Sequence, residues 1–228
     1  MLLQLYDQPI DVFGFDLDGT LIMSEELNYK ALEATCEHFG IPFNTRNDRE
    51  FSGMPNAEMF QRIIRNFGYG SASALAQLIG YKREYYIKSL PEAKPVPNAV
   101  AFVRAVRRIG LPCAIATAAG SRSLTASLDV LGFSHDEFAV LLPADKLPPN
   151  SCKPNPYHWR KVAEGCGVSC DRLLVIEDSP RGLKSAVGAG CLTIGITTTH
   201  SENELWQAEV NYVVESFSEL AELLNLDL

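Results

Sequence analysis

The sequence predicts an α/β protein, a Rossmann-like parallel sheet with helices on its faces and an all-helical subdomain inserted after the first strand. Three observations predict it. Five short apolar runs recur along the chain, each flanked by Gly, Pro or Asp. Such runs, with no alternation, read as strands buried on both faces. Helical periodicity separates most of them, which is the alternation of a parallel sheet with right-handed crossovers. Finally, the gap between the first two runs holds only helical patterns over about seventy residues, too many for a simple crossover.

The elements follow in order. Asp11–Phe15 (DVFGF) is the first strand. Three helical patterns come next, Glu25–Phe39, Ala57–Phe67 and Ser73–Leu90, with no buried-strand run among them. Met23–Glu26 reads as the outgoing hinge of this insert and the Pro-rich Pro91–Pro97 (PEAKPVP) as the return. The expected division is therefore an α/β core at 1–22 and 95–228 and a helical unit at 23–94. Ala99–Ile109 is helical and stops at Gly110, a fitting C-cap, before the strand Leu111–Ala116 (LPCAIA). Ser121–Leu131 stops at Gly132 and precedes the strand Phe138–Leu142. Asn155–Cys166 opens after a proline, stops at Gly167, and leads to the strand Leu173–Ile176. Pro180–Ala189 has proline at its first turn and Gly190 at its end, and Leu192–Ile196 is the fifth strand.

Composition narrows the function. Apolar residues make up 46% and charged residues 21%, as in an ordinary folded chain with a sizeable core. Twenty Lys plus Arg against 28 Asp plus Glu give a net charge of −8. That balance argues against nonspecific binding to nucleic acid or to an anionic membrane. It leaves room for an anionic substrate at a locally positive site. Six cysteines, at 36, 113, 152, 166, 170 and 191, offer one close pair, Cys166 and Cys170, and no second pair to complete a zinc site. His38, His135, His158 and His200 are scattered. The thiols read as reduced and half-buried. Neither a leader-like N-terminus nor an apolar stretch of ~20 residues is evident, so a cytoplasmic location is expected.

Four segments carry candidate chemistry. FGFDLDGTL, residues 13–21, delivers Asp16 and Asp18 at the end of a buried strand, where ligands sit in open α/β sheets. Paired carboxylates repel unless a proton or cation lies between them, and Mg²⁺ prefers oxygen ligands. Gly19 allows a sharp turn and Thr20 brings a hydroxyl; a plain Asp-Gly surface turn is the bland alternative. Thr117-Ala118-Ala119-Gly120-Ser121 places a hydroxyl and small residues before a helix, which suits a phosphate oxygen, although an ordinary turn capped by Ser121 would look the same. Lys153 precedes two prolines in CKPNP, either a fixed ammonium or a solvated loop lysine. Glu177-Asp178-Ser179-Pro180 again sets carboxylates at a strand end, with helix capping as the alternative.

Their order decides. All four fall at or just beyond predicted strand ends, so they can meet at one edge of the sheet. In Asp16-x-Asp18-x-Thr20, Thr117, Lys153 within KPNP, and EDSPRG at 177–182, with a helical insert after the first motif, the chain resembles the haloacid dehalogenase superfamily, in its phosphatase and phosphomutase branch. The resemblance covers nearly the whole chain. It implies that Asp16 attacks phosphorus to form an aspartyl-phosphate and that Asp18 acts as general acid and then base. It implies that Thr117 and Lys153 hold phosphoryl oxygens, and that Mg²⁺ is held by Asp16 and Asp178, with the Asp18 backbone carbonyl and Glu177 assisting. Two departures stand out. Met23 occupies a position where many relatives have Asp. Ala118 stands where many have Ser or Asn, which leaves a backbone N–H for the phosphate but one donor fewer.

The helical insert would act as a cap that excludes water and selects substrate. Phe51–Asn56 resembles the family's specificity loop, with Gly53 and Asn56 as substrate-binding candidates; a plain interhelical turn is the alternative. Asn28 and Asn56 stand where β-phosphoglucomutases typically place His and Arg. The missing cation counts against a mutase, which must hold a second phosphate. Arg181, just past the fourth motif, is a further substrate-binding candidate, whereas Arg62, Arg65, Lys82, Arg83 and Lys88 read as a solvated helix face. The expected function is a Mg²⁺-dependent phosphatase acting on a small sugar phosphate-like metabolite, as monomer or dimer. The alternatives are a β-phosphoglucomutase-type mutase and a binding protein that kept the fold; the intact acidic set speaks against the latter.

Overall fold

The computed structural model describes residues 4–5, 8–42, 54, 56–67 and 72–228. The chain divides into two compact units, Met1–Met23 with Lys94–Leu228, and Ser24–Ala93.

The main sheet of the first unit begins with strand β1, Val12–Phe15. Within the helical unit come α1, Glu25–His38, α2, Asn56–Phe67, and α3, Ala72–Ser89. The first unit resumes with α4 (Ala99–Arg108), β2 (Cys113–Thr117), α5 (Ser121–Leu131), β3 (Val140–Pro143) and α6 (Tyr157–Cys166). It closes with β4 (Leu173–Glu177), α7 (Pro180–Ala189), β5 (Leu192–Ile196), α8 (Glu202–Trp206), β6 (Tyr212–Val214) and α9 (Phe217–Leu223). Among the described residues, six strands form one parallel sheet in the order β6-β5-β4-β1-β2-β3. The α/β class and the parallel sheet predicted from the apolar runs hold. β6 and the two short helices beside it lay outside the prediction.

β1 is central because it can be buried on both faces, and all four of its residues are. Its side chains alternate. Val12 joins Ala114, Ala116, Leu173 and Val175 under Trp159 and Val162 of α6. Phe13 and Phe15 point the other way, onto Phe102 of α4 at ring-centroid distances of 5.9 and 6.3 Å, and Phe102 meets Phe217 of α9 at 5.2 Å. The ladders pair Phe15 with Ile115 on one side and with Ile176 on the other. The next residue, Asp16, still donates its N–H to the Ile176 carbonyl at 3.0 Å. Register alone therefore delivers Asp16 beside the ends of β2 and β4.

The helical unit has its own core of Leu32, Cys36, Ile41, Met59, Phe60, Ile63 and Leu78. Arg65, Arg83 and Lys88 lie on solvated helix faces, as expected. Lys82 does not. It is buried, and its ammonium donates to the side-chain oxygens of Asn28 and Asn56, each at 3.0 Å. A lysine at helical spacing reads as solvated, but two amide oxygens on facing helices give this one an interior place. All six cysteines are free thiols, three of them buried. Among the described residues no helix is long and apolar enough to cross a membrane.

Gly14 is where β1 meets α6 most closely. A Cβ there would stand 2.7 Å from Cζ3 of Trp159. Gly14→Ala is expected to destabilise the protein by about 1–3 kcal/mol through overpacking. The pair Gly14→Ala with Trp159→Phe should lose clearly less than the sum of the single changes. Urea denaturation of the four proteins checks this, and strictly additive losses would refute the contact as the cause.

Candidate active site

Three loops at the carboxyl edge of the sheet bring the titratable groups together. The first follows β1. Beyond Asp16 the chain turns through Leu17, Asp18 and Gly19, closed by the Gly19 N–H on the Ile22 carbonyl at 2.8 Å. Gly19 has φ of +84°, and a Cβ there would overlap the Asp178 carboxylate, so both the turn and the close approach call for glycine. The second loop carries Lys153 into α6. The third follows β4, where Ser179 caps α7 by accepting from the Gly182 N–H at 3.1 Å, and Pro180 occupies the first turn.

Lys153 is the meeting point. The residue is 4% exposed, and its ammonium donates to Asp16 Oδ1 and Glu177 Oε1, each at 2.5 Å, and to the Ala116 carbonyl at 2.8 Å. The Trp159 ring lies beneath it at 4.9 Å, where an aromatic face favours a cation. Asp16, Glu177 and Asp178 each offer one oxygen such that all lie within 4.8 Å of one another, and all three residues are buried. Burial pushes Asp16 up to about 8, with Glu177 and Asp18 adding to the rise and Lys153 opposing it. Burial likewise raises Glu177, against Lys153. Asp178 is pushed up to about 7, by burial first and the Asp16 charge second, while Thr199 and Thr20 pull it down. Burial disfavours charge on Lys153, yet Asp16 and Glu177 outweigh it and hold the ammonium above the ordinary lysine range.

One ammonium among three buried carboxylates leaves surplus negative charge. Oxygen donors at this spacing fit a hard divalent cation, which would lower all three carboxyl values at once.

The sequence-predicted residues fall into place unevenly. Asp16, Lys153, Glu177 and Asp178 converge. The Asp18 side chain is not in that carboxylate group; Asp18 is half-buried at the turn, where its backbone bridges to Ile22. Thr20 is fully buried and its hydroxyl donates to Asp178 Oδ1 at 2.7 Å, so it supports a carboxylate. Thr117 ends β2, buried, and its Oγ1 accepts the Ala119 N–H at 3.0 Å. Ala118 lies half-buried between them. The N-terminus of α5, expected to welcome a phosphate, already holds an anion. Asp145 accepts from the Ser121 N–H at 3.1 Å and from its hydroxyl at 2.7 Å, and the cap residue is Gly120 rather than Ser121. Arg181 sits half-buried in the first turn of α7. Asn56 belongs to the helical unit, bound to Lys82. Gly53 lies outside the described residues.

Sequence reasoning missed Thr198, Thr199 and His200, which follow β5 and reach Gly19 and Asp178. The strand-end rule that found the carboxylates applies to this run as well. His158 is no rival acid or base, because burial, with the Lys153 charge adding, pushes it down to about 3.

Residues 14–196 match the family model described as haloacid dehalogenase-like hydrolase. The chain belongs to the haloacid dehalogenase-like hydrolases. This hydrolase is 29% identical over 197 residues to validoxylamine A 7'-phosphate phosphatase of Streptomyces hygroscopicus subsp. limoneus, covering 86% of the chain and 90% of that protein. It is 26% identical to the phosphoglycolate phosphatase of Neisseria meningitidis, over 95% of the chain and 94% of that protein. The crystal structure of CbbY from Rhodobacter sphaeroides in complex with phosphate superposes with a TM-score of 0.81 at 25% identity, covering 95% and 100%. Family and relatives together make the chain a phosphoric monoester hydrolase.

The raised carboxyl values set a pH dependence. Asp16 at about 8 and Asp178 at about 7 bind protons in the folded protein that they release near 3.8 when unfolded. The folded state therefore holds more protons between these values, and the cluster's contribution to stability falls as pH rises through that window. A divalent cation competes with those protons. Its stabilising shift in Tm is expected to be small near pH 5.5 and larger near pH 8, and to shrink in Asp178→Asn. Thermal melts with excess cation and with chelator check this; an equal shift at both pH values would refute it.

Proposed function

We propose that the hydrolase is a Mg²⁺-dependent phosphatase of small phosphorylated metabolites such as sugar phosphates, working through an aspartyl-phosphate on Asp16. The observation that carries this reading is the Lys153 ammonium, 2.5 Å from Asp16 Oδ1 inside a buried carboxylate cluster. An ordinary aspartate would be a poor candidate for such burial. One beside a lysine is aimed, and a cation bound by the same cluster would bring its raised carboxyl value back toward the ionised form.

Asp16, Glu177 and Asp178 are the residues to hold the cation, with the Asp18 backbone carbonyl. Bound there, Mg²⁺ would neutralise charge on the nucleophile and on the transferring phosphoryl group. The chain's own groups do the rest. The Asp16 carboxylate attacks phosphorus while the bond from phosphorus to the leaving oxygen breaks. Asp18, at the half-buried rim of the same turn, gives its proton to that oxygen. In the second half Asp18 takes a proton from water as the water oxygen attacks phosphorus, and Asp16 departs, leaving orthophosphate. Lys153 and Thr117 hold the non-bridging oxygens, joined by the Ala118 N–H; Arg181 touches the substrate.

The helical unit, Ser24–Ala93, would act as the cap that selects the leaving group, through Gly53 and Asn56 among others. Asn28 and Asn56 are neutral, and both give their side-chain oxygens to Lys82. That arrangement lacks the additional His and Arg associated with β-phosphoglucomutases, which supports hydrolysis over mutase chemistry. Six free thiols support a reducing, cytoplasmic setting.

The test is phosphate release from a panel of phosphorylated metabolites, with Mg²⁺ and with chelator. Wild type with Mg²⁺ is expected to turn over some members. Asp16→Asn should lose about 10⁴-fold or more in kcat, and Asp18→Asn roughly 10²- to 10⁴-fold. Activity indifferent to chelator, or an active Asp16→Asn, would sink the proposal.

A further inference from the structure

The turn after β5 ties two catalytic loops together. Thr198 Oγ1 donates to the Gly19 carbonyl at 2.6 Å. Thr199 Oγ1 donates to Asp178 Oδ2. His200 Nδ1 lies 2.9 Å from the Asp178 carbonyl and 2.8 Å from Thr199 Oγ1. Thr199 Oγ1 also lies 3.2 Å from the Asp178 carbonyl; with the ring proton placed on Nδ1 to serve that carbonyl, the single Thr199 proton goes to the nearer carboxylate oxygen. On the far side Thr20 donates to Asp178 Oδ1 at 2.7 Å. Each Asp178 oxygen thus accepts one hydroxyl from a different loop. Rotation of the carboxylate would break at least one of these bonds in a buried setting, and each oxygen keeps a lone pair for a cation. Gly19 packs against the same two residues, since a Cβ on it would overlap Asp178 and stand 2.8 Å from Thr199 Cγ2.

We propose that Thr199, its hydroxyl directed by His200, is a positioning residue that locks Asp178 in the orientation required of a metal ligand, while Thr198 only fastens the turn. This rests on the metal-dependent reading above. Hydroxyl partners of ligating carboxylates typically shape metal affinity by 10- to 100-fold. A turn that merely completed the fold would have no call on the Asp178 carboxylate.

The experiment is calorimetric titration of Mg²⁺ into the substrate-free protein, for wild type, Thr199→Val, Thr199→Ser, Thr198→Val and Asp178→Asn. Valine keeps the shape of threonine and removes the proton donor; Thr199→Ala replaces it if the valine variant fails to fold. Mg²⁺ affinity is expected to fall about 10- to 100-fold in Thr199→Val, to return close to wild type in Thr199→Ser, and to stay near wild type in Thr198→Val. In turnover, Thr199→Val should need correspondingly more Mg²⁺ for half-maximal rate and recover most of its kcat at saturating Mg²⁺. Binding lost in Asp178→Asn but intact in Thr199→Val overturns this inference and leaves the metal-dependent reading standing. Equal losses in Thr198→Val and Thr199→Val overturn it too, by making the effect one of loop fastening. A wild type that binds no Mg²⁺ overturns the reading and the inference together.

Discussion

The buried ammonium of Lys153 is the constraint on which the carboxyl edge of this protein depends. Three carboxylates taken out of water within a few ångströms of one another would not all remain ionised, because desolvation and mutual repulsion both favour the protonated form. Lys153 answers two of the three directly and anchors itself on the Ala116 carbonyl. The rest of the architecture can be read as support for that placement. The ladders set Asp16 between the ends of β2 and β4, Trp159 forms the floor beneath the ammonium, and Gly14 makes room for that floor. The third carboxylate, Asp178, receives hydroxyls instead of an ammonium, from Thr20 and Thr199. The site therefore separates a lysine-paired half from a hydroxyl-paired half, and the latter is the one whose orientation is fixed without a cation.

Much of the fold was legible in the sequence because the central strands are buried on both faces. DVFGF, LLVI and LTIGI leave no alternation to misread, and the glycines after α5, α6 and α7 mark real ends, each in the left-handed conformation. β6 escaped notice for the complementary reason. It is a three-residue edge strand, Tyr212–Val214, paired among the described residues with β5 alone, and an apolar run that short gives little signal. Lys82 was misread because a charged residue at helical spacing usually faces water, and the amides that hold it come from Asn28 and Asn56, distant in sequence.

The candidate site shows the same division. Carboxylates and a proline-flanked lysine at strand ends announce themselves, because such groups are costly unless something pairs with them. Hydroxyls do not: Thr198 and Thr199 are ordinary residues for any turn, and only the three-dimensional approach of the β5 turn to Gly19 and Asp178 gives them a task. Thr20 was noticed for its motif, yet its hydroxyl serves Asp178. The N-terminus of α5 looked open in the sequence because Asp145, which occupies it, lies more than twenty residues downstream.

The strand order also has a consequence for biosynthesis. β1 is translated before every other strand of its sheet, yet it lies in the interior of that sheet, between β4 and β2. Both flanking strands emerge from the ribosome only after the whole helical unit. That unit is contiguous in sequence and carries a core of its own, so it can condense while β1 is still without partners. The apolar segment leading to Asp16 must wait through this interval, and pairing across such sequence distances is slow. Asp16 is thus synthesised ahead of Lys153, Glu177 and Asp178, and the strands that flank it follow only after the whole helical unit.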